Sequence, residues 1–269
     1  MSDSIGSLMR RAAIAACLTL GGLTPAFAQA PAADTPPEGV QFMPRYDFSM
    51  SAAALGNDDQ RFSWDTHWAG DLDVVDYGHG RLTFLADYQA LLGSEFRAFD
   101  PYQSNYLLEG SGSFRAHGVE IAAVLNHVSR HFGDRFKRVA VAENSLGLRV
   151  MHTAGHRKTT LKMQVDLRKV IARAYVDYTW IGDLDVTLRR SLSARTSAYG
   201  RVYGQGDAVD ETIAGRHHQY GGRAEVGVQV AGTGGAVDLF VGAERMIDAD
   251  PLDRIPRRWA FVGFRLVGH

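Results

Sequence analysis

The 269-residue chain carries 29 Lys and Arg against 30 Asp and Glu, and so even a balance removes any global electrostatic argument for a nucleic-acid partner. Its one cysteine, Cys17, lies in an apparent leader, so the mature chain has no thiol for a disulfide or a thiolate metal site. Beyond that leader no run of about twenty apolar residues remains, which excludes a membrane-spanning helix, and the length suits one large domain or one barrel.

Residues 1–28 read as an export signal: Arg10 and Arg11, an apolar stretch over 12–23, then Ala26-Phe27-Ala28 or Ala28-Gln29-Ala30 as a small-x-small cleavage site. The mature protein is expected to begin near Gln29. The twin arginines lack the usual flanking pattern, which favours the general secretion route, and Ile14-Ala15-Ala16-Cys17 has the form of a lipoprotein box but is preceded by only a handful of apolar residues, which argues against lipidation. Residues 29–44, rich in Pro and Ala, read as a periplasmic lead-in or linker.

From residue 45 the pattern becomes strand after strand, with twelve candidates at 45–55, 61–76, 80–92, 103–116, 117–130, 137–152, 157–169, 172–189, 194–205, 219–231, 235–246 and 257–267. Several alternate strictly: Leu161, Met163, Val165 and Leu167 oppose Lys162, Gln164, Asp166 and Arg168. A soluble sandwich alternates too, so the connections decide. Long ones (93–102, 205–218, 247–256) largely alternate with short ones (77–79, around His117, 191–193, 232–234), as outer loops and periplasmic turns do in outer-membrane barrels. Trp64, Trp68, Tyr88, Tyr106, Phe114, Tyr178 and Trp180 fall on apolar faces as candidate girdle aromatics.

Two features do not fit. The chain ends without a terminal aromatic, and 172–189 is long for one strand, with an ill-defined join near Val170 and Gly182-Asp183 as a candidate break. The fold class expected is nonetheless all-β: a transmembrane antiparallel up-and-down β-barrel of about twelve strands over 45–269, located in the bacterial outer membrane.

The stretch 119–129 places Val119, Ile121, Ala123, Leu125, His127 and Ser129 on one face and Glu120 and Asn126 on the other. An outward-running fifth strand puts His127 and Ser129 at the depth of the outer leaflet. Unpaired polar groups in hydrocarbon lose several kcal/mol, so partners are expected. On the following strand Asn144 shares the outward parity of Ala142, Leu146, Leu148 and Val150, and Glu143 is the competing third member.

A His-x-Ser on one strand with an Asn or Glu on the next, facing outward on a barrel, resembles outer membrane phospholipase A, a twelve-stranded barrel, and the layout of the smaller lipid A deacylase. The resemblance implies His127 as general base, Ser129 as nucleophile and Asn144 as the group orienting the imidazole. It also implies calcium as a cofactor. This chain departs from the phospholipase after its Ser, continuing Arg130-His131-Phe132-Gly133-Asp134 where the family has Asn-Gly. A second resemblance rests on His127-x-Ser129-x-His131-x-Gly133-Asp134, Asn144-Ser145 and Arg258-Trp259-Ala260-Phe261-Val262-Gly263. It is to a family of bacterial envelope proteins known only as a domain of unknown function, and it implies a barrel without implying an activity.

The function expected is hydrolysis of acyl esters of phospholipid or lipid A, with outer-leaflet lipids as partners, no nucleic acid, and a homodimer as one mode of assembly. Plainer readings stand beside it: His127 and Ser129 as solvated interfacial residues, His131 and Asp134 as loop residues rather than metal ligands, and His217-His218 as part of a long loop. The inward charges Asp71, Asp73, Glu120, Lys162, Asp166 and Arg168 read as a polar plug or a small channel, so a channel, transporter, structural or adhesive barrel is the alternative.

Overall fold

A computed structural model describes residues 39–133, 135–136 and 139–268. The export signal, most of the lead-in and Asp134 lie outside the described residues. Twelve antiparallel strands follow one another: β1 (Gln41–Gly56), β2 (Trp64–Asp76), β3 (Arg81–Gly93), β4 (Asp100–Ala116), β5 (Val119–Phe132), β6 (Val141–His156), β7 (Thr159–Ala174), β8 (Tyr178–Ser191), β9 (Thr196–Val209), β10 (Gln219–Ala231), β11 (Gly235–Asp250) and β12 (Ile255–Gly268). Each pairs with its sequence neighbours, and β1 meets β12 over Phe48↔Gly268 to Gly56↔Ala260, which closes the barrel and leaves no edge. A one-turn helix, α1 (Glu211–Ala214), sits between β9 and β10. The first strand begins at Gln41, so the last residues assigned to the lead-in are already sheet.

Alternation sorts the side chains as a membrane barrel requires. On β5, Val124 is 0% exposed and Leu125 55%; the apolar wall continues through Leu148, Leu167, Val226, Leu239 and Val262, all exposed. Tight turns occupy one rim. His117 and Gly118 both have positive φ (52° and 78°), matching a two-residue hairpin to the strand twist. The longer connections 57–63, 94–99 and 210–218, and the described residues that follow β5, gather on the other rim, the extracellular side of such barrels.

Three local departures from the sequence pattern have physical causes. First, β7 runs on to Ala174 and the turn falls at 175–177, while Gly182 sits mid-strand between Leu167 and Gly206. No glycine or proline marks that turn. Tyr175 takes a positive φ of 57°, and arginines hold the carbonyls: Arg254 donates to Tyr175 O at 2.7 Å and Arg173 to Tyr178 O at 2.9 Å. Second, a register shift between Tyr178 and Trp180 reverses parity, so Tyr178 is buried inside the barrel instead of joining the outer girdle, while Trp180 stays exposed. Third, β11 shifts register after Met246, and Ile247, Asp248, Ala249 and Asp250 are all buried, with Asp248 at φ 47°.

That bent end of β11 reaches over the outer mouth. Asp248 accepts from Arg216 (2.6 and 2.7 Å) and from the Tyr178 hydroxyl, and its carbonyl accepts from Arg130 of β5, across the barrel, at 2.9 Å. Asp250 accepts from Arg61 (3.1 Å) and the Tyr102 hydroxyl. Phe62 packs on Tyr102 and Trp259 beside them, with ring centroids 5.3 and 5.7 Å away. Deeper in the lumen, Arg149 donates to Glu109 (2.6 and 2.9 Å) and Asp166 (2.7 Å), Arg81 and Arg115 share Glu120, and Arg223 of β10 reaches Asp65 of β2 at 3.3 Å. Much of the interior is therefore a lattice of ion pairs, although among the described residues Glu143 and Asp207 are buried without one.

Candidate active site

His127 and Ser129 lie near the outer end of β5 on the same face as the exposed Ile121 and Leu125. The β5–β6 register pairs His127 with Asn144 and Ser129 with Ala142. His127 Nδ1 and Asn144 Oδ1 are 2.7 Å apart. Since the amide oxygen only accepts, Nδ1 carries the proton, and Nε2 is left with its lone pair. Ser129 follows two residues along the strand, its Cα about 7 Å away by strand geometry, a gap that the two side chains bridge only by reaching toward each other. Among the described residues the Ser129 hydroxyl makes no hydrogen bond. A loose nucleophile–base contact is common without substrate.

Glu143, the competing third member, is 7% exposed and points to the lumen. It pairs with Val128 in register, so its side chain is on the wrong side of the sheet for His127. Of the two alternatives for the third member, Asn144 is the one that stands beside His127. The Arg130 guanidinium also points inward, to Asp248 O.

Several features fix the site's surroundings. Ser129 is flanked by Tyr106 on β4 and Ala142 on β6, and His127 by Leu108 and Asn144. From Tyr106 an aromatic ladder runs around the outer wall, with centroids 5.1 Å from Tyr106 to Tyr88 and 5.6 Å from Tyr88 to Trp68, the placement of an interfacial girdle. His131 stacks edge-on against Tyr106 at 5.5 Å. Gly133 ends the strand; a Cβ there would stand 1.9 Å from Pro101 O, so only glycine lets the chain turn against β4. On the far side of Asn144, β7 carries one extra residue: Ser145 pairs with Val170 but Asn144 with Ala172, leaving Ile171 bulged and exposed beside the site. The sequence offered no sign of this bulge beyond the ill-defined join near Val170.

The other polar candidates fall elsewhere. His217, in the outer loop, lies 2.9 Å from Glu211, whose carboxylate holds the imidazole pKa above its ordinary value. Among the described residues no three His, Cys, Asp or Glu side chains group as metal ligands.

The closed barrel, its apolar outer wall and its two unlike rims define a bacterial outer-membrane β-barrel protein. Among solved structures it is similar to outer membrane phospholipase A from Escherichia coli, at 11% identity over 85% of this chain and 98% of that one, with a TM-score of 0.50. It is likewise similar to the Salmonella typhi outer membrane phospholipase, solved as a dimer with bound calcium, at 13% identity over 84% of this chain and 91% of that one, TM-score 0.51. At such identity the likeness is one of fold. No protein-family model and no curated protein sequence matches the chain.

Proposed function

We propose that the protein is an outer-membrane acyl-ester hydrolase whose Ser129, His127 and Asn144 act on lipid presented laterally by the outer leaflet. The observation that carries the reading is the 2.7 Å His127–Asn144 hydrogen bond on the lipid-facing wall, which selects the imidazole tautomer needed by a general base for a serine on the same face. In this reaction Ser129 Oγ attacks the ester carbonyl while His127 Nε2 takes its proton. The proton passes to the departing alcohol, leaving an acyl-serine. Water, deprotonated by the same nitrogen, then releases the fatty acid. Facing hydrocarbon is an asset for such a site, because the substrate is dissolved there.

The channel alternative finds little support, since side chains from opposite walls meet across the outer mouth and much of the lumen charge is paired. The test is fatty-acid release from phospholipid and from lipid A by the refolded protein, with and without calcium, beside Ser129→Ala. Release by the wild type alone upholds the proposal. Absence of release from both, with both showing heat-modifiable barrel migration, overturns it. Sedimentation of the same samples reads whether a second copy associates.

A further inference from the structure

A second polar feature interrupts the outer wall on the side opposite β5. The β11–β12 register sets Arg245 directly against Arg258. Arg258 is exposed and shares its face with Ala260 and Val262; Arg245 shares the face of Val241 and Ala243. Both stand near the extracellular end of their strands. Like charges placed opposite one another on a sheet destabilise it, and neither arginine has an ion-pair partner among the described residues. Moreover, Arg245 Nη1 is buried with no hydrogen-bond partner. The other arginines of these two strands have ion pairs: Arg257 with Asp59, although its Nε is also buried without a partner among the described residues, and Arg265 with Glu225 and Asp238. A buried, unmet guanidinium donor beside a second guanidinium calls for an anion with several acceptor oxygens.

The surface below the pair supplies the rest of a site. In register, the next outward row toward the membrane is Val202, Ala224, Ala243 and Ala260, small side chains that leave a shallow groove of about 580 Å³ with Gly222, Arg245 and Arg258 at its upper edge. A second depression above the arginines, toward the rim, is lined by Asn57, Asp58 and Pro256. Asp59 there is occupied by Arg61 and Arg257, and no ion pair joins Asp58 to Arg245 or Arg258. The arginines thus sit at a boundary between polar rim and apolar wall.

We infer that Arg245 and Arg258 bind the phosphate of an outer-leaflet lipid whose acyl chain lies in the groove over Ala224, Ala243 and Ala260. The pairing of like charges is then relieved by the shared anion, and the small row keeps a chain close to the sheet. This site is independent of Ser129 and does not require the proposed hydrolase to be active.

The experiment compares binding of dimyristoyl phosphatidic acid, dimyristoylglycerol and inorganic phosphate to the refolded barrel in detergent micelles, read by native mass spectrometry. Wild type should prefer the phosphatidic acid to dimyristoylglycerol by about tenfold or more, as for a bidentate charge-assisted contact. Arg245→Ala with Arg258→Ala should remove that preference. Ala243→Trp, which fills the groove and leaves both arginines, should weaken the lipid but not inorganic phosphate. All variants change lipid-facing positions, and heat-modifiable migration checks that each barrel is closed. Equal binding of the two lipids by wild type overturns the inference, as does an undiminished preference in the double variant. Inorganic phosphate binding as tightly as the lipid overturns the acyl-chain part.

Discussion

The two faces of β5 and β6 treat polar side chains in opposite ways. Inward, Asn126 donates to Glu109 (3.2 Å) and Arg149 of β6 ties Glu109 to Asp166, so that these four groups answer one another, while Ser145 Oγ and the Glu143 carboxyl on the same side stand outside that network. Outward, His127 and Asn144 answer each other at one atom pair only, and the second imidazole nitrogen and the Ser129 hydroxyl are left open to the membrane. Saturation inside serves the fold, because a charge stripped of water must find its counter-charge in the protein. Incomplete saturation outside, where a polar group costs most, is what the proposed hydrolase reading builds on.

That contrast can be broken at several points. Ser129→Ala should lower ester hydrolysis by about a thousandfold or more, as removal of a nucleophile does in serine hydrolases, while leaving the barrel closed; fatty-acid release beside heat-modifiable migration reads both. Arg149→Met acts on the opposite face. It strands Glu109 and Asp166 and should cost about 3 kcal/mol of stability, seen as a lower urea midpoint in lipid vesicles, with hydrolysis per folded molecule retained. A loss of hydrolysis as large as that of Ser129→Ala would show that the two faces are not separable. Asn144→Ala removes only the orienting acceptor and should reduce kcat by about ten- to a hundredfold with little change in KM. The smallest effect belongs to Glu143→Gln: with its carboxyl in the lumen, hydrolysis should stay within about twofold of wild type, and a larger drop would return Glu143 to the site.

Much of this architecture was legible beforehand, for reasons that lie in period-two patterning. Because most strands are apolar on one side and polar on the other, parity puts Asn144 and Glu143 on opposite faces, but which of them meets His127 needed the β5–β6 register. Parity failed where an extra residue entered the ladder. Tyr178 looks outward from its spacing to Trp180, yet the shift between them places it against Asp248. The turn at 175–177 was hidden for a different reason: its backbone is held by Arg173 and Arg254 from a distance, and no local glycine or proline announces it. The reach of β11 over the mouth was illegible too, since Asp248 and Asp250 find their partners on strands far away in sequence.

The bent end of β11 has a consequence for assembly. Asp248 is held at once by Arg130 from β5, Tyr178 from β8 and Arg216 from the loop before β10. A slip of β11 by one residue would turn its carboxylate toward the wall and forfeit the side-chain contacts together. Alignment of the penultimate strand and the contacts over the mouth therefore stand or fall together, because a single carboxylate and its own backbone carbonyl link β11 to three distant segments of the chain.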